Sequence, residues 1–222
     1  DIRLAPSGVR FCALEEGELV RVKTNLPGQF SVYNALAAIS CARLLGVSLA
    51  DAAAALETAH GAKGRVEPVP TVGDYSIFID YAVTPDAIEN VLTTLRGIAP
   101  KRLVMLFGAG GDRDRKKRPI MGKLSADIAD FVIVTSDNPR TEDPMSIIEE
   151  ILPGVRAGKA PYKVICDRPE AIRWAIDHHE PGDVILLCGK GHEDYQIIGH
   201  EKIHMDEREI VADYLAERAK RT

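Results

Sequence analysis

The sequence RLVMLFGAGGDRD, residues 102–114, decides the fold. Its first half is a short apolar run, typical of a strand that is buried on both faces, and its second half is a polar loop rich in glycine. On either side of this stretch, similar apolar runs alternate with segments of helical periodicity. This alternation is typical of a parallel sheet covered by helices on both faces. The chain is therefore predicted to be an α/β protein with a doubly wound, mostly parallel sheet.

The region from residue 74 onward contains five predicted strands and five predicted helices. The strands are 75–80, 102–108, 131–135, 162–166 and 183–188, and the helices are 85–96, 119–130, 144–151, 169–179 and 207–221. Four of these helices begin with proline, whose missing amide proton costs nothing in the first turn. The residues before those prolines, which include Arg118 and Arg168, are expected near the N-cap positions.

The first seventy residues have a different pattern. A strand pair at 9–12 and 19–22 is followed by two helices rich in alanine, at 31–45 and 48–60. These few elements bury little core by themselves. Residues 1–68 are therefore predicted to be the end of a larger domain, and residues 69–222 a domain of their own. The chain begins with Asp1 rather than Met, which agrees with a fragment.

Charge and composition exclude several classes of function. The chain has 28 Lys plus Arg and 33 Asp plus Glu, a net charge of −5, which does not favour a nucleic-acid surface. No apolar run approaches the ~18 residues of a membrane span, so a cytoplasmic protein with no membrane partner is predicted. The four cysteines lie far apart without a CxxC motif, and the sequence predicts neither a disulfide framework nor a metal site.

Three polar loops follow strands of the predicted sheet. They are GAGGDRDRKKRP at 108–119, SDNPRTEDP at 136–144 and GKGHED at 189–194. Ligands of open parallel sheets bind outside the carboxyl ends of the strands, so all three loops are expected at one edge. In the first loop, glycines stand beside five cations between Arg113 and Arg118, which favours an anionic ligand. The alternative is a solvated turn whose aspartates offset part of the charge.

The second and third loops carry groups that suit an amino acid. In Asp137-Asn138-Pro139-Arg140, proline stiffens the turn, asparagine offers a donor and an acceptor, and arginine matches a carboxylate. The alternative is a simple loop that leads into a helix. In the third loop, Glu193 suits an ammonium group, whereas a solvent-facing position is the more common one for a histidine such as His192. The convergence of three such loops favours a binding site.

Six ordered motifs carry a resemblance to the Mur ligase family. They are LPGQFSVYNALAA (26–38), GRVE (64–67), DYAVTPDA (80–87), GGDRD (110–114), DNPR (137–140) and GKGHE (189–193). The resemblance implies the end of a central ATP-binding domain followed by a Rossmann-like domain that binds the incoming amino acid. It also implies an ATP- and Mg²⁺-dependent ligase that joins an amino acid to a carboxylate through an acyl phosphate.

The family pattern implies a role for ten residues and assigns no catalytic residue. Asn34, Arg65 and Asp80 correspond to contacts with ATP, and the amino-acid site corresponds to Arg113, Asp137, Asn138, Pro139, Arg140, Gly189 and Glu193. Members with arginine in the DNPR motif add meso-diaminopimelate, and lysine-adding members differ there. The implied partners are therefore meso-diaminopimelate and, in the full-length enzyme, a UDP-N-acetylmuramoyl-dipeptide.

Two departures from the family pattern leave alternatives open. Val83 stands where the family usually has histidine, and the 222 residues contain no GxxxxGK[ST] phosphate loop. The chain alone is therefore predicted not to turn over ATP. A non-catalytic amino-acid-binding module that has lost the nucleotide site is an alternative. A folylpolyglutamate-type ligase is a weaker one, because the DNPR and GKGHE motifs argue against it.

Overall fold

A computed structural model describes residues 1–220. The chain divides into two compact units, Asp1–Ala62 and Lys63–Thr222. The division falls before the predicted boundary at residue 68, because Glu67–Val69 forms a strand that pairs with the sheet of the second unit.

The first unit is a three-stranded antiparallel sheet packed against two helices. In chain order its elements are β1 (Arg3–Ala5), β2 (Gly8–Glu15), β3 (Glu18–Thr24), α1 (Gln29–Leu44) and α2 (Leu49–Glu57). Alternate residues of β2, including Val9 and Phe11, are buried against the helices. The amide of Asp51 donates to the Ser48 hydroxyl at 3.0 Å and so caps α2. The strand pair and both helices agree with the sequence pattern, and β1 is additional.

The second unit contains the predicted mostly parallel sheet. Its strands are β4 (Glu67–Val69), β5 (Ser76–Asp80), β6 (Leu103–Phe107), β7 (Phe131–Val134), β8 (Tyr162–Val164) and β9 (Val184–Cys188). They are ordered β4-β5-β9-β6-β7-β8, and every neighbouring pair is parallel except β4 with β5. All five predicted strands are present. This topology confirms the expected α/β fold.

Helices cover both faces of this sheet. They are α3 (Pro85–Arg96), α4 (Lys117–Ile128), α5 (Pro144–Ala157), α6 (Arg168–Asp177) and α7 (Glu207–Ala219). On β6, Met105 packs with α3, α4 and α5, whereas Leu106 packs with α6 and α7. The sheet is therefore doubly wound, with one apolar layer on each face. The predicted end of the last helix, Arg221, lies outside the described residues.

Two helix starts differ from the sequence prediction. Helix α4 begins at Lys117 and α6 at Arg168, after an Asp167 cap. Arg118 and Arg168, which were expected near N-cap positions, lie inside the helices and are 1% exposed. Both arginines form buried ion pairs with residues far away in the chain.

Helix α5 is longer than the pattern indicated. It continues past Ile151 to Ala157 with Pro153 and Gly154 inside it. At Gly154 an added Cβ would lie 1.8 Å from the carbonyl oxygen of Pro119, so only glycine permits this close approach of α5 to α4.

A hairpin that the sequence analysis missed follows the third polar loop. Its strands are β10 (Tyr195–Ile198) and β11 (Glu201–His204). Gly199 has a φ of +60° at the first position of the two-residue turn, as in a type II′ hairpin. Among residues 1–220, no helix combines the length and the apolar character that a membrane crossing requires.

Candidate functional site

The three polar loops and the segment after β5 enclose a cleft of about 240 Å³ at the carboxyl edge of the sheet. Six of the seven residues predicted for the amino-acid site line it: Arg113, Asp137, Asn138, Arg140, Gly189 and Glu193. Pro139 is not among the lining residues. Val83, which is 44% exposed, also lines the cleft. The structure thus brings together residues that are up to 110 positions apart, because parallel strands end at the same edge.

The side-chain amide of Asn138 is held in one orientation at the floor of the cleft. Its Nδ2 donates to Glu193 Oε2 at 2.9 Å, and its Oδ1 accepts from Lys190 Nζ at 2.8 Å and from the amide of Ile197 at 2.9 Å. Asn138 is 4% exposed. Because all three contacts agree on the positions of nitrogen and oxygen, a flipped amide would lose every one of them.

Glu193 carries a negative charge into the cleft. Its Oε2 also accepts from Lys190 Nζ at 2.8 Å, while Oε1 accepts from the Tyr81 hydroxyl at 3.4 Å. Burial raises the pKa of Glu193, but hydrogen bonds from Lys190 and Asn138 outweigh that effect and hold the pKa below its usual range. The carboxylate is therefore ionised at neutral pH, and Oε1 is its more available oxygen.

Arg140 joins the second loop to the first. It adopts a left-handed backbone with a φ of +53°, and its Nη1 donates to the carbonyl of Gly111 at 2.9 Å. The hairpin supports this geometry, because the Arg140 amide donates to Ile197 O at 3.0 Å and its carbonyl accepts from Gly199 at 2.7 Å. Within residues 1–220, the Nε and Nη2 groups of Arg140 have no hydrogen-bond partner. They are free to bind a carboxylate.

The cations of the first loop divide into paired and unpaired ones. Arg118 Nη2 binds Glu142 at 2.8 Å and its Nη1 binds Glu150 at 2.8 Å, while Arg115 also binds Glu142. These contacts hold the pKa of Glu142 at about 2, with the Arg118 hydrogen bond as the main cause. Arg113 is exposed and has no ion pair in the described part of the chain. Lys116 and Lys117 are likewise exposed without an ion pair among residues 1–220, and Lys117 lines the cleft with Arg113. The predicted affinity for an anion therefore depends on Arg113 and Lys117 rather than on the whole basic run.

The residues predicted to contact ATP lie elsewhere. Asp80 is 7% exposed, and its carboxylate accepts from the amides of Val66 at 2.8 Å and Ala82 at 2.9 Å. Burial raises the pKa of Asp80 despite these bonds. Arg65 is exposed, with its guanidinium 5.3 Å from the centre of the Tyr81 ring. Neither residue lines the cleft, and Asp80 directs its oxygens to the protein backbone beside Arg65.

Asn34 and magnesium are the subjects of two further sequence predictions. Asn34 is exposed on α1 of the first unit. Among residues 1–220, no group of three or more His, Cys, Asp or Glu side chains is placed to hold a metal ion. The described residues therefore offer no ready magnesium site made of side chains of these four types.

Lys190 and Tyr81 contact residues of the site, and the sequence analysis gave neither of them a role. Both lie inside motifs that it quoted, Lys190 between two glycines and Tyr81 directly after Asp80. The signal for Lys190 was weak, because a lysine in a polar loop is usually solvated. Only the structure shows that its ammonium group is fully buried.

Residues 64–191 match the family model described as "Mur ligase, glutamate ligase domain". The chain is 49% identical over 220 residues to the UDP-N-acetylmuramoyl-L-alanyl-D-glutamate--2,6-diaminopimelate ligase of Caldanaerobacter subterraneus subsp. tengcongensis, with 99% of this chain and 45% of that protein covered. It is 46% identical over 200 residues to the protein of the same name from Syntrophomonas wolfei, with 90% and 41% covered.

A solved structure with that same name is also similar. The match has a TM-score of 0.80 at 35% identity and covers 99% of this chain and 45% of the other. The chain thus spans less than half the length of the curated relatives it matches.

Proposed function

The chain belongs to the Mur ligase family, and from this premise we propose that it supplies the amino-acid-binding part of a cytoplasmic ligase. The reaction is the addition of meso-diaminopimelate to UDP-N-acetylmuramoyl-L-alanyl-D-glutamate in peptidoglycan synthesis, as in the relatives that carry this name. The observation that carries the proposal is the convergence of Arg113, Asn138, Arg140 and Glu193 on one cleft.

The charges of the cleft complement those of the proposed ligand. Diaminopimelate has an ammonium and a carboxylate at each end. Arg113 and the unpartnered groups of Arg140 suit carboxylates, and Glu193 Oε1 suits an ammonium. Lysine lacks the second carboxylate and would leave an arginine of the site without its partner, which disfavours lysine.

The residues of this chain would act by positioning the attacking amine. A zwitterion bound at both ends has few orientations left, and such fixation lowers the barrier of the following bond formation. ATP with Mg²⁺ would supply the phosphoryl group that activates the acceptor carboxylate. Of the residues described here, Arg65 above the Tyr81 ring suits a phosphate or a base, whereas the Asp80 carboxylate is used to hold the backbone at Val66.

Titration calorimetry of the chain with meso-diaminopimelate and with L-lysine tests this proposal. Diaminopimelate is expected to bind and lysine to bind at least about tenfold more weakly, since a lost charged hydrogen bond costs about 1.5–3 kcal/mol. Arg140→Ala is expected to abolish the preference, whereas Arg156→Ala, at an exposed site on α5, leaves it intact. Equal binding of both ligands, or none of either, would contradict the proposal for this chain.

A second candidate is an amino-acid-binding module without ligase activity, which Val83 at the cleft favours. Both candidates predict diaminopimelate binding and no ATP-dependent phosphate release by these 222 residues. They differ in the parent gene. A reading frame that continues upstream into a GxxGKT motif supports the ligase, and a start codon at this N-terminus supports the module.

A further inference from the structure

Lys190 is a fully buried cation directly behind the proposed amino-acid site. Its side chain is 0% exposed, and its Nζ lies 2.8 Å from Asn138 Oδ1 and 2.8 Å from Glu193 Oε2. The Tyr195 ring centre is 5.3 Å from the same nitrogen. A buried ammonium is costly unless it is paired and hydrogen-bonded, and these neighbours satisfy that need.

Lys190 and the amide of Ile197 together determine which atoms Asn138 offers to the cleft. Asn138 Oδ1 already accepts two hydrogen bonds, from Lys190 and from the amide of Ile197. A carbonyl oxygen has two lone pairs, so this oxygen is saturated. Asn138 can therefore act toward a ligand only as a donor, through Nδ2.

The same lysine decides which oxygen of Glu193 is available. Oε2 accepts from both Lys190 and Asn138, whereas Oε1 accepts a long 3.4 Å bond from Tyr81. The Tyr195 hydroxyl also interacts with this carboxylate. A ligand ammonium is thus directed to Oε1, the oxygen that Lys190 and Asn138 leave available.

We propose that Lys190 is a positioning residue that fixes the polarity of the amino-acid site. Together with the amide of Ile197 it makes Asn138 a donor for a ligand carboxylate, and it leaves Glu193 Oε1 as the acceptor for a ligand ammonium. This inference rests on the proposed function and adds to it the group that sets the direction in which the zwitterion binds.

The groups that face Glu193 predict how a variant responds to pH. They are Lys190 on its own loop, Tyr81 after β5, Asp137 and Asn138 after β7, and Tyr195 on β10. In Lys190→Met the hydrogen bond that lowers the pKa of Glu193 is lost, while the burial that raises the pKa remains. The carboxylate then becomes protonated at a higher pH, and ammonium binding weakens as the pH falls from about 7.5 to 5.5.

Calorimetry with meso-diaminopimelate at both pH values tests this inference. Lys190→Met is expected to bind at least about tenfold more weakly at pH ~7.5 and weaker still at pH ~5.5. Lys190→Gln keeps a donor but no charge, and we expect an intermediate loss with a similar pH trend. The control is Lys202→Met, an exposed lysine 3.5 Å from the centre of the same Tyr195 ring, which is expected to follow the unmutated chain. Affinities of both Lys190 variants within about twofold of the unmutated chain would overturn the proposal.

Three measurements without ligand separate this inference from the proposed function. If the unmutated chain does not bind diaminopimelate, the proposed function fails, but the orientation of Asn138 and Glu193 can still be measured by NMR. In Lys190→Gln, the pKa of the Glu193 carboxyl is expected to rise and the Asn138 side-chain amide to exchange faster. In the unmutated chain, the Lys190 Nζ protons are expected to exchange slowly. This measurement uses no variant, so it does not depend on whether a variant folds. Unchanged values in the variant, or fast Nζ exchange, would overturn the inference.

Discussion

Arg168 and Glu207 form an ion pair with 2.9 Å between Nε and Oε1, and both side chains are fully buried. The guanidinium also donates to the carbonyls of Ser136 at 3.3 Å and Cys188 at 2.8 Å. These carbonyls lie where β7 and β9 end and two loops of the site begin. The pair therefore fixes the floor of the cleft to the first turns of α6 and α7.

Removing one member of this pair is expected to destabilise the protein strongly. Arg168→Met leaves the Glu207 carboxylate buried without its cation, which typically costs about 3–5 kcal/mol of unfolding free energy. Denaturant unfolding measures the loss. Arg173→Met on the same helix, an exposed residue whose guanidinium lies 5.8 Å from the centre of the Tyr214 ring, is the control and should cost less than about 1 kcal/mol. The double variant Arg168→Met/Glu207→Leu should recover part of the stability, and equal losses in Arg168→Met and Arg173→Met would contradict this account.

These buried arginines show what the sequence could not reveal. The apolar runs of β5, β6, β7 and β9 predicted the parallel sheet, because each strand is buried on both faces and leaves a continuous signal. Arg118 and Arg168 lie directly before prolines and resemble exposed residues near helix starts. Their partners are more than twenty residues away in the chain, so no local pattern shows that they are buried.

The candidate site was predictable to a similar degree. The ends of parallel strands meet at one edge, and this rule alone placed the DNPR and GKGHE motifs beside each other. The role of each side chain inside the site was not predictable, because the contacts of Lys190 and Arg118 depend on how distant loops are placed relative to each other. The hairpin at β10 and β11 has a visible signal in Gly199-His200, but both strands are short and largely exposed, so their apolar pattern is weak.

The ion pairs of Glu142 predict a pH dependence of stability. Its pKa is lowered from 4.5 to about 2, first by the hydrogen bond from Arg118. A carboxyl whose pKa is lower in the folded than in the unfolded chain stabilises the fold at pH values above its unfolded pKa. The contribution of Glu142 is therefore complete above pH ~4.5 and is lost as the pH falls toward 2. Allowing for screening around the exposed Arg115, the contribution is about 1–3 kcal/mol.

Glu142→Gln isolates this contribution. Between pH ~5 and 2, the unfolding free energy of the unmutated chain should fall more steeply than that of the variant, as measured by urea unfolding at several pH values. Glu149→Gln, at an exposed position on α5, should keep the steep dependence. If the unfolding free energies of the unmutated chain and of Glu142→Gln fell in parallel with pH, the ion pairs of Glu142 would not make this contribution to stability.

Arg113 and Arg115 make a matched test of the first loop. Arg113 lines the cleft and has no ion pair within residues 1–220, whereas Arg115 is bound to Glu142 and Glu150. We expect Arg113→Ala to weaken diaminopimelate binding about tenfold or more without lowering the melting temperature. Arg115→Ala should leave the affinity within about twofold of that of the unmutated chain, because the guanidinium of Arg115 is already paired with Glu142 and Glu150. A larger loss of affinity in Arg115→Ala than in Arg113→Ala would reverse the assignment.

Gly111 is the residue at which the first loop touches the second. Its amide donates to Asn138 O at 2.9 Å, and an added Cβ would lie 1.8 Å from the carbonyl oxygen of Pro139. Gly111→Ala must therefore push the two loops apart and break the contact from Arg140 to the Gly111 carbonyl. We expect diaminopimelate binding to fall by about tenfold or more in calorimetry, with a smaller loss of unfolding free energy, because the apolar layers of the sheet are untouched. Gly97→Ala, whose added Cβ would meet only ordinary contacts at 3.4 Å or more, should bind normally. Normal binding by Gly111→Ala would mean that the loops tolerate separation and that their close approach does not shape the site.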